Sequence, residues 1–289
     1  PEPQNLNLVA PLAATLAIQT LVSAAVYSAP VMAPVAAPAM GVAGLALPGW
    51  VRAATLDDAD IDAIVLPFLR TYETPGVAVA VVRPGLPPFV RGYGVRTLGK
   101  PAPVDIHTRF GIASHSKAFT AAALALLVDD GKLDWEDPVR KHLPEFRMYD
   151  PAVTEMMTVR DLLVHRSGLP LGAGDLMYFP QSSHVAADVL KALPHLKPVR
   201  GFRNGYDYDN ILYLVAGVLI ERVSGMGWDR FVTGRIFEPL GMTETVASRA
   251  ALKTDNVAGR HARLGPPVRG IGKMEIVQAD EGPAIDAAG

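Results

Sequence analysis

The chain has 289 residues, 49% of them hydrophobic and 19% charged, a balance that supports a large buried core and excludes an intrinsically disordered protein. A formal net charge of −2 with no Lys/Arg cluster argues against a nucleic-acid partner. Without cysteine there is no disulfide, thiolate-ligated zinc or thiol nucleophile, and the seven histidines show no metal-binding spacing, so neither a metal nor a cofactor is expected.

No charge occurs from Pro3 to Val51, which sets an Ala/Pro-rich segment (residues 1–52) apart from residues 53–289. Leu8 to Ala29 is long enough to cross a bilayer as a helix, although Thr15, Gln19, Thr20 and Ser23 dilute it and Pro30, Pro34 and Pro38 break any helix beyond it. The reading is an export signal or membrane anchor, placing the protein in the periplasm or at a membrane through this segment; the alternative is an Ala/Pro-rich extension.

Asp57, Asp58 and Asp60 complement the first turn of a helix whose apolar stripe is Ile61, Ile64, Val65, Phe68 and Leu69, expected to pack on a sheet. Gly76–Val82 and Phe89–Val95 read as an antiparallel hairpin. Gly92 and Gly94 lack the third glycine of a dinucleotide fingerprint, and a bulge or close packing explains them better.

Next comes Ser114-His115-Ser116-Lys117, opening an apolar run with Phe119, Ala122, Ala123, Leu126 and Leu127 at helical spacing. On that helix Ser114 and Lys117 share a face, so an amine can lie beside the hydroxyl and activate it. Ser-x-x-Lys is short enough to arise by chance about once in a chain of this size, and Ser is also an ordinary helix cap. His115 points to another face and reads as packing or pocket rim.

Asp134, Glu136 and Asp137 read as a solvated turn, followed by a short helix from Val139 to Leu143. Met157 to Pro170 reads as a Thr158-capped helix stopped by Gly168 and Pro170, with Ser167 a structural residue at its C-terminus. Further helices are expected at Val185–Leu193, Ile211–Val223 and Trp228–Phe237, with a turn-rich aromatic loop from Gly201 to Asn210. No Gly-x-Ser-x-Gly exists, which excludes a nucleophile elbow.

Five ordered motifs carry a family resemblance: Phe110 to Lys117, Leu126 to Asp137, Thr158 to Pro170, Tyr208-Asp209-Asn210, and Ile236 to Met242. From Leu56 onward the chain resembles the serine hydrolases of the class C β-lactamase and penicillin-binding-protein-like family, which includes family VIII esterases and D-aminopeptidase relatives. The resemblance implies an α+β, β-lactamase/transpeptidase-like fold, with an antiparallel sheet flanked by helices and a helical subdomain. It implies Ser114 as the acylated nucleophile, Lys117 as its activating partner, Tyr208 as a second general base or acid, and Asn210 orienting the acyl group or the lysine. The substrates would be small-molecule carboxylic esters or β-lactam and peptide-like amides, with esters favoured.

Two departures stand out. Asp209 occupies the middle of Tyr-x-Asn, where relatives carry a small residue. After Tyr208 no Lys-Thr-Gly or His-x-Gly is found; His261 to Gly265 has the wrong spacing. The domain is therefore expected to be C-terminally incomplete, with a short sheet and an unpaired edge. The alternative function is a non-catalytic, membrane-associated binding or scaffold protein with a degenerate form of the fold.

Overall fold

The computed structural model describes residues 57–83, 85–178, 183–265 and 271–277, together with Ala287. Residues 1–52, with the expected signal or anchor, lie outside the described residues. Among the described residues no single helix is long and apolar enough to cross a membrane.

The chain divides into two compact units. One comprises the described residues up to Tyr72 together with Val79–Arg91. Here α1 (Asp58–Tyr72) buries Ile61 and Val65, while Ile64 and Phe68 of the expected stripe are exposed. Arg91 ties α1 through an ion pair to Asp62 at 2.5 Å and a longer one to Asp58. Strand β1 (Gly76–Val81) pairs with β2 (Phe89–Gly94) in a two-stranded sheet, as the hairpin reading required. Gly92 is there because the chain passes close: a Cβ would lie 2.3 Å from the Val104 carbonyl oxygen.

The second unit comprises Glu73–Ala78 and Gly92 onward. Its helices are α2 (Ser116–Asp129), α3 (Val139–His142), α4 (Pro151–Met156), α5 (Ala186–Ala192), α6 (Ile211–Ser224) and α7 (Trp228–Val232). The core centres on α6, which buries Ile211, Leu212, Val215, Ala216, Leu219 and Ile220, and against which α2, α5 and α7 pack. A helix apolar on every side must be covered on every side, and α6 is buried at nine of its first ten residues, before Glu221 and Arg222 reach the surface. Strand β3 (His261–Gly265) pairs antiparallel with β4 (Ile271–Ile276), His261 opposite Ile276. The described residues thus hold two separate two-stranded sheets.

Three expectations need correction. The 157–170 segment is not a helix: only Arg160–Leu162 makes a 3₁₀ turn. The Thr158–Asp161 cap does form, with the Asp161 carboxylate accepting from the Thr158 N–H at 3.0 Å and its hydroxyl at 2.7 Å. The helix fails because Leu162 and Leu163 close 3₁₀ bonds on the Val159 and Arg160 carbonyls, because His165 turns the chain with φ of 55°, and because the carbonyls of His165, Arg166 and Gly168 accept from Asp207, Arg203 and Val199 instead. The run from Trp228 stays α-helical only to Val232, then widens into a π turn over Thr233–Phe237. Asp137 is not solvated: its side chain is 12% exposed and pairs with Lys141 and His142. Burial alone would raise the carboxyl, but these hydrogen bonds overcome it and bring it down to about 2.

Candidate active site

The backbone is strained immediately before the Ser-x-x-Lys pair. Ala113 has φ of 46°, a left-handed conformation that costs a non-glycine residue about 1–3 kcal/mol and is concentrated at functional sites. From it the chain enters a 3₁₀ turn, Ala113–His115, which runs directly into α2. Ser114 is thereby presented at the mouth of the helix with its side chain exposed, while Lys117, one turn later, is 7% exposed. His115 is exposed, its Nδ1 3.0 Å from the Ile112 carbonyl oxygen, as the rim reading required.

Tyr208 and Asn210 meet this pair from the far side of the sequence. The Tyr208 hydroxyl donates to Ser114 Oγ at 2.7 Å. Lys117 Nζ donates to Ser114 Oγ at 3.3 Å and to Asn210 Oδ1 at 2.7 Å, and lies 4.9 Å from the centre of the Tyr208 ring. Lys117 and Tyr208 therefore both reach the Ser114 hydroxyl, and Asn210 joins them through Lys117. Although Asn210 is the residue before α6, its side chain does not cap that helix; Asp209 does, accepting the Leu212 N–H at 3.2 Å.

The 199–210 loop is held in place by backbone pairing to the 165–168 strip. Val199 and Arg203 donate to the Gly168 and Arg166 carbonyls, and Asp207 donates to the His165 carbonyl. Arg203 grips the buried Asp161 carboxylate with two hydrogen bonds, at 3.0 and 2.6 Å. Gly168, at φ of 86°, allows the close approach: a Cβ there would lie 2.4 Å from the Arg200 carbonyl oxygen.

Residues beyond the sequence reading complete the site. Asp175 receives the Asn210 Nδ2 protons at 3.2 and 3.3 Å and the Tyr178 hydroxyl at 2.6 Å. With its amide nitrogen on a carboxylate, Asn210 must turn its oxygen to Lys117. Burial, and then the bond to Asp175, push the Tyr178 phenol above its ordinary value, so it remains a proton donor. His165 stacks on Tyr208 with ring centres 4.4 Å apart. Neither Asp175 nor His165 has a sequence signal of its own, since each becomes meaningful only through residues tens of positions away.

Asp209, the departure from the family pattern, turns away from the Tyr208 hydroxyl. It is 1% exposed, accepts from Ser167 Oγ at 3.1 Å, and burial pushes its carboxyl up to about 6. His261, of the misspaced motif, lies in β3 with Nε2 accepting the Leu98 N–H at 3.0 Å. Among the described residues no cluster of His, Asp and Glu could hold a metal ion.

Chemically, a hydroxyl at a helix mouth touches both a lysine nitrogen and a phenol oxygen, two groups that in their unprotonated forms can take its proton and return it to a leaving group. Residues 61–284 match the family model described as Beta-lactamase. Protein flp of Staphylococcus aureus (strain COL) is 29% identical over 214 residues, 73% of this chain and 41% of that protein. Unguisins hydrolase ungD of Aspergillus violaceofuscus is 32% identical over 196 residues, 65% of this chain and 34% of that protein. The chain thus spans well under half the length of these curated relatives. The solved D-amino acid amidase of Ochrobactrum anthropi superposes with a TM-score of 0.64 at 26% identity, over 79% of this chain and 64% of that one.

Proposed function

This chain belongs to the Beta-lactamase family and has its transpeptidase-like fold, and from that premise we propose that it is a serine hydrolase working through an acyl-Ser114 intermediate. The observation that carries the reading is the convergence of Lys117 and Tyr208 on Ser114 Oγ, at 3.3 and 2.7 Å. Ser114 Oγ attacks the substrate carbonyl carbon, and its proton passes to an unprotonated Lys117 or Tyr208. That proton then goes to the leaving alcohol or amine as the carbonyl carbon's bond to it breaks. Water then attacks the acyl carbon and loses a proton to the same pair, which hands it to Ser114 Oγ as the Oγ–carbon bond breaks and the acid leaves. Asn210, of the two roles open to it, orients Lys117 through its Oδ1. The Ser114 N–H, at the start of the turn leading into α2, is one donor for the oxyanion, a type of interaction worth on the order of 10²–10³ in rate.

Carboxylic esters are the favoured substrates and β-lactam or peptide-like amides the second class; the amidase relative supports the amide arm. Export to the periplasm or membrane through residues 1–52 belongs to the same proposal. Incubation with a fluorophosphonate or a fluorescent penicillin, read by intact mass and peptide mapping, should add one label at Ser114. A folded protein that takes no label is instead a binding scaffold. Rates on p-nitrophenyl butyrate and nitrocefin then rank esters against β-lactams.

A further inference from the structure

We propose that His165 is a positioning residue whose neutral imidazole fixes the Tyr208 ring and so holds the phenol hydroxyl on Ser114. The proposal rests on the acyl-serine reading and adds to it a residue and a pH response.

Four observations converge. The imidazole stacks on Tyr208 at 4.4 Å and 29°, with Tyr213 at 5.4 Å and Tyr206 edge-on at 5.5 Å. Its Nδ1 faces the Asp209 N–H at 3.3 Å, and its carbonyl accepts the Asp207 N–H at 2.8 Å. One residue therefore grips the loop on both sides of Tyr208 as well as through the ring itself. Finally, its φ of 55° lies in the left-handed region, which His and Asn adopt more readily than most non-glycine residues, so the chain turns at a residue that can hold both the backbone bond and the ring contacts.

The grip requires the neutral form. Nδ1 can accept the Asp209 N–H only when unprotonated, which puts the ring proton on Nε2. A second proton would set N–H against N–H and place a cation beside Lys117, whose ammonium already lies 4.9 Å from the Tyr208 ring centre. The groups facing the imidazole are Lys117 from α2, Tyr206, Tyr208 and Asp209 from the loop, and Tyr213 from α6; Arg166, its neighbour in sequence, donates to the Arg203 carbonyl. Burial first, and the Lys117 charge second, hold the imidazole below its ordinary pKa. The site is thus set for neutral pH and loosens in acid.

The test measures the rate of Ser114 labelling by a fluorophosphonate from about pH 4.5 to 8.5, the range over which histidines titrate, for the wild type, His165→Asn and His165→Phe. His165→Asn keeps an acceptor and tolerates the backbone but loses the stack; its rate at neutral pH should fall about ten- to a hundredfold. His165→Phe keeps the stack without a titrating group, and the step of the acid limb whose midpoint matches the His165 imidazole by NMR should vanish. Variants that share the wild-type rate and profile overturn the proposal, as does a step at that midpoint that persists in a folded His165→Phe. If neither variant folds, NMR of the wild type decides: the Tyr208 ring signals should shift with the same midpoint as the His165 imidazole, and Tyr208 signals that stay put sink the idea. The NMR arm needs no turnover. A wild type that never labels therefore condemns the acyl-serine reading while the His165–Tyr208 coupling is still decided.

Discussion

Ser114 and Ser167 both bond to the 208–209 dipeptide, Ser114 through the Tyr208 hydroxyl and Ser167 through the Asp209 carboxylate. Ser114 is exposed and stands at the mouth of a helix, with a phenol and an ammonium directed at its oxygen. Ser167 is 3% exposed; it donates to Asp209 and accepts the Leu169 N–H at 3.1 Å, so its hydroxyl is fully engaged. A helix C-terminus does not silence Ser167, because no helix ends there. Burial and a saturated hydroxyl do. Reactivity depends on what surrounds the oxygen, and two serines that share one dipeptide are sorted by exposure and by the charge of the partner.

Four substitutions test this sorting. Ser114→Ala should abolish labelling, a loss on the order of 10⁶ in acylation rate, with the thermal midpoint unchanged because the side chain is exposed. Lys117→Met keeps the stem packed but removes the amine, and labelling should fall about 10²–10⁴-fold; a normal rate would leave Tyr208 as the sole partner of Ser114.

The third substitution, Asp209→Asn, bears on the pH dependence of stability. Asp209 has its carboxyl raised from 3.8 to about 6, so the native state takes up a proton before the unfolded state does. Stability should therefore rise as pH falls through about 6 and level off below 3.8, by at most about 3 kcal/mol. Asp209→Asn should erase that rise in urea titrations at several pH values. Asp137 has the opposite sign: lowered to about 2, it contributes about 2 kcal/mol that is present above 3.8 and lost as pH falls through about 2. Smallest is Ser167→Ala, expected to cost about 1–3 kcal/mol by leaving Asp209 without its hydroxyl donor, while labelling of Ser114 stays near the wild-type rate. Loss of the label in this variant would collapse the distinction between the two serines.

Much of the scaffold is legible in the sequence. The α1, α2, α5 and α6 segments, the β1–β2 hairpin and the close packing at Gly92 all come from periodicity, end signals and glycine placement, which act over one or two turns of chain. The segment from Met157 to Pro170 defeats a local reading because a correct local signal, the Thr158–Asp161 cap, is overruled by the turn at His165 and by backbone hydrogen bonds from residues some thirty to forty positions later. Asp137 looks solvated in the sequence; its partners Lys141 and His142 stand only four and five residues on, and it is its burial that the packing around it decides.

The site divides in the same way. A helical rise determined by itself that Ser114 and Lys117 would be neighbours, since three residues apart on a helix leaves little choice. Tyr208 and Asn210 could be named from ordered motifs. Only tertiary structure brought their side chains to Ser114 and Lys117, aimed Asn210 by means of Asp175, turned Asp209 into the core, and laid His165 on Tyr208. These contacts join residues tens of positions apart: the first ten residues of α6 are apolar on every side and draw in α2 and the Arg160–Leu162 turn, while backbone hydrogen bonds hold the 199–210 loop on the 165–168 strip.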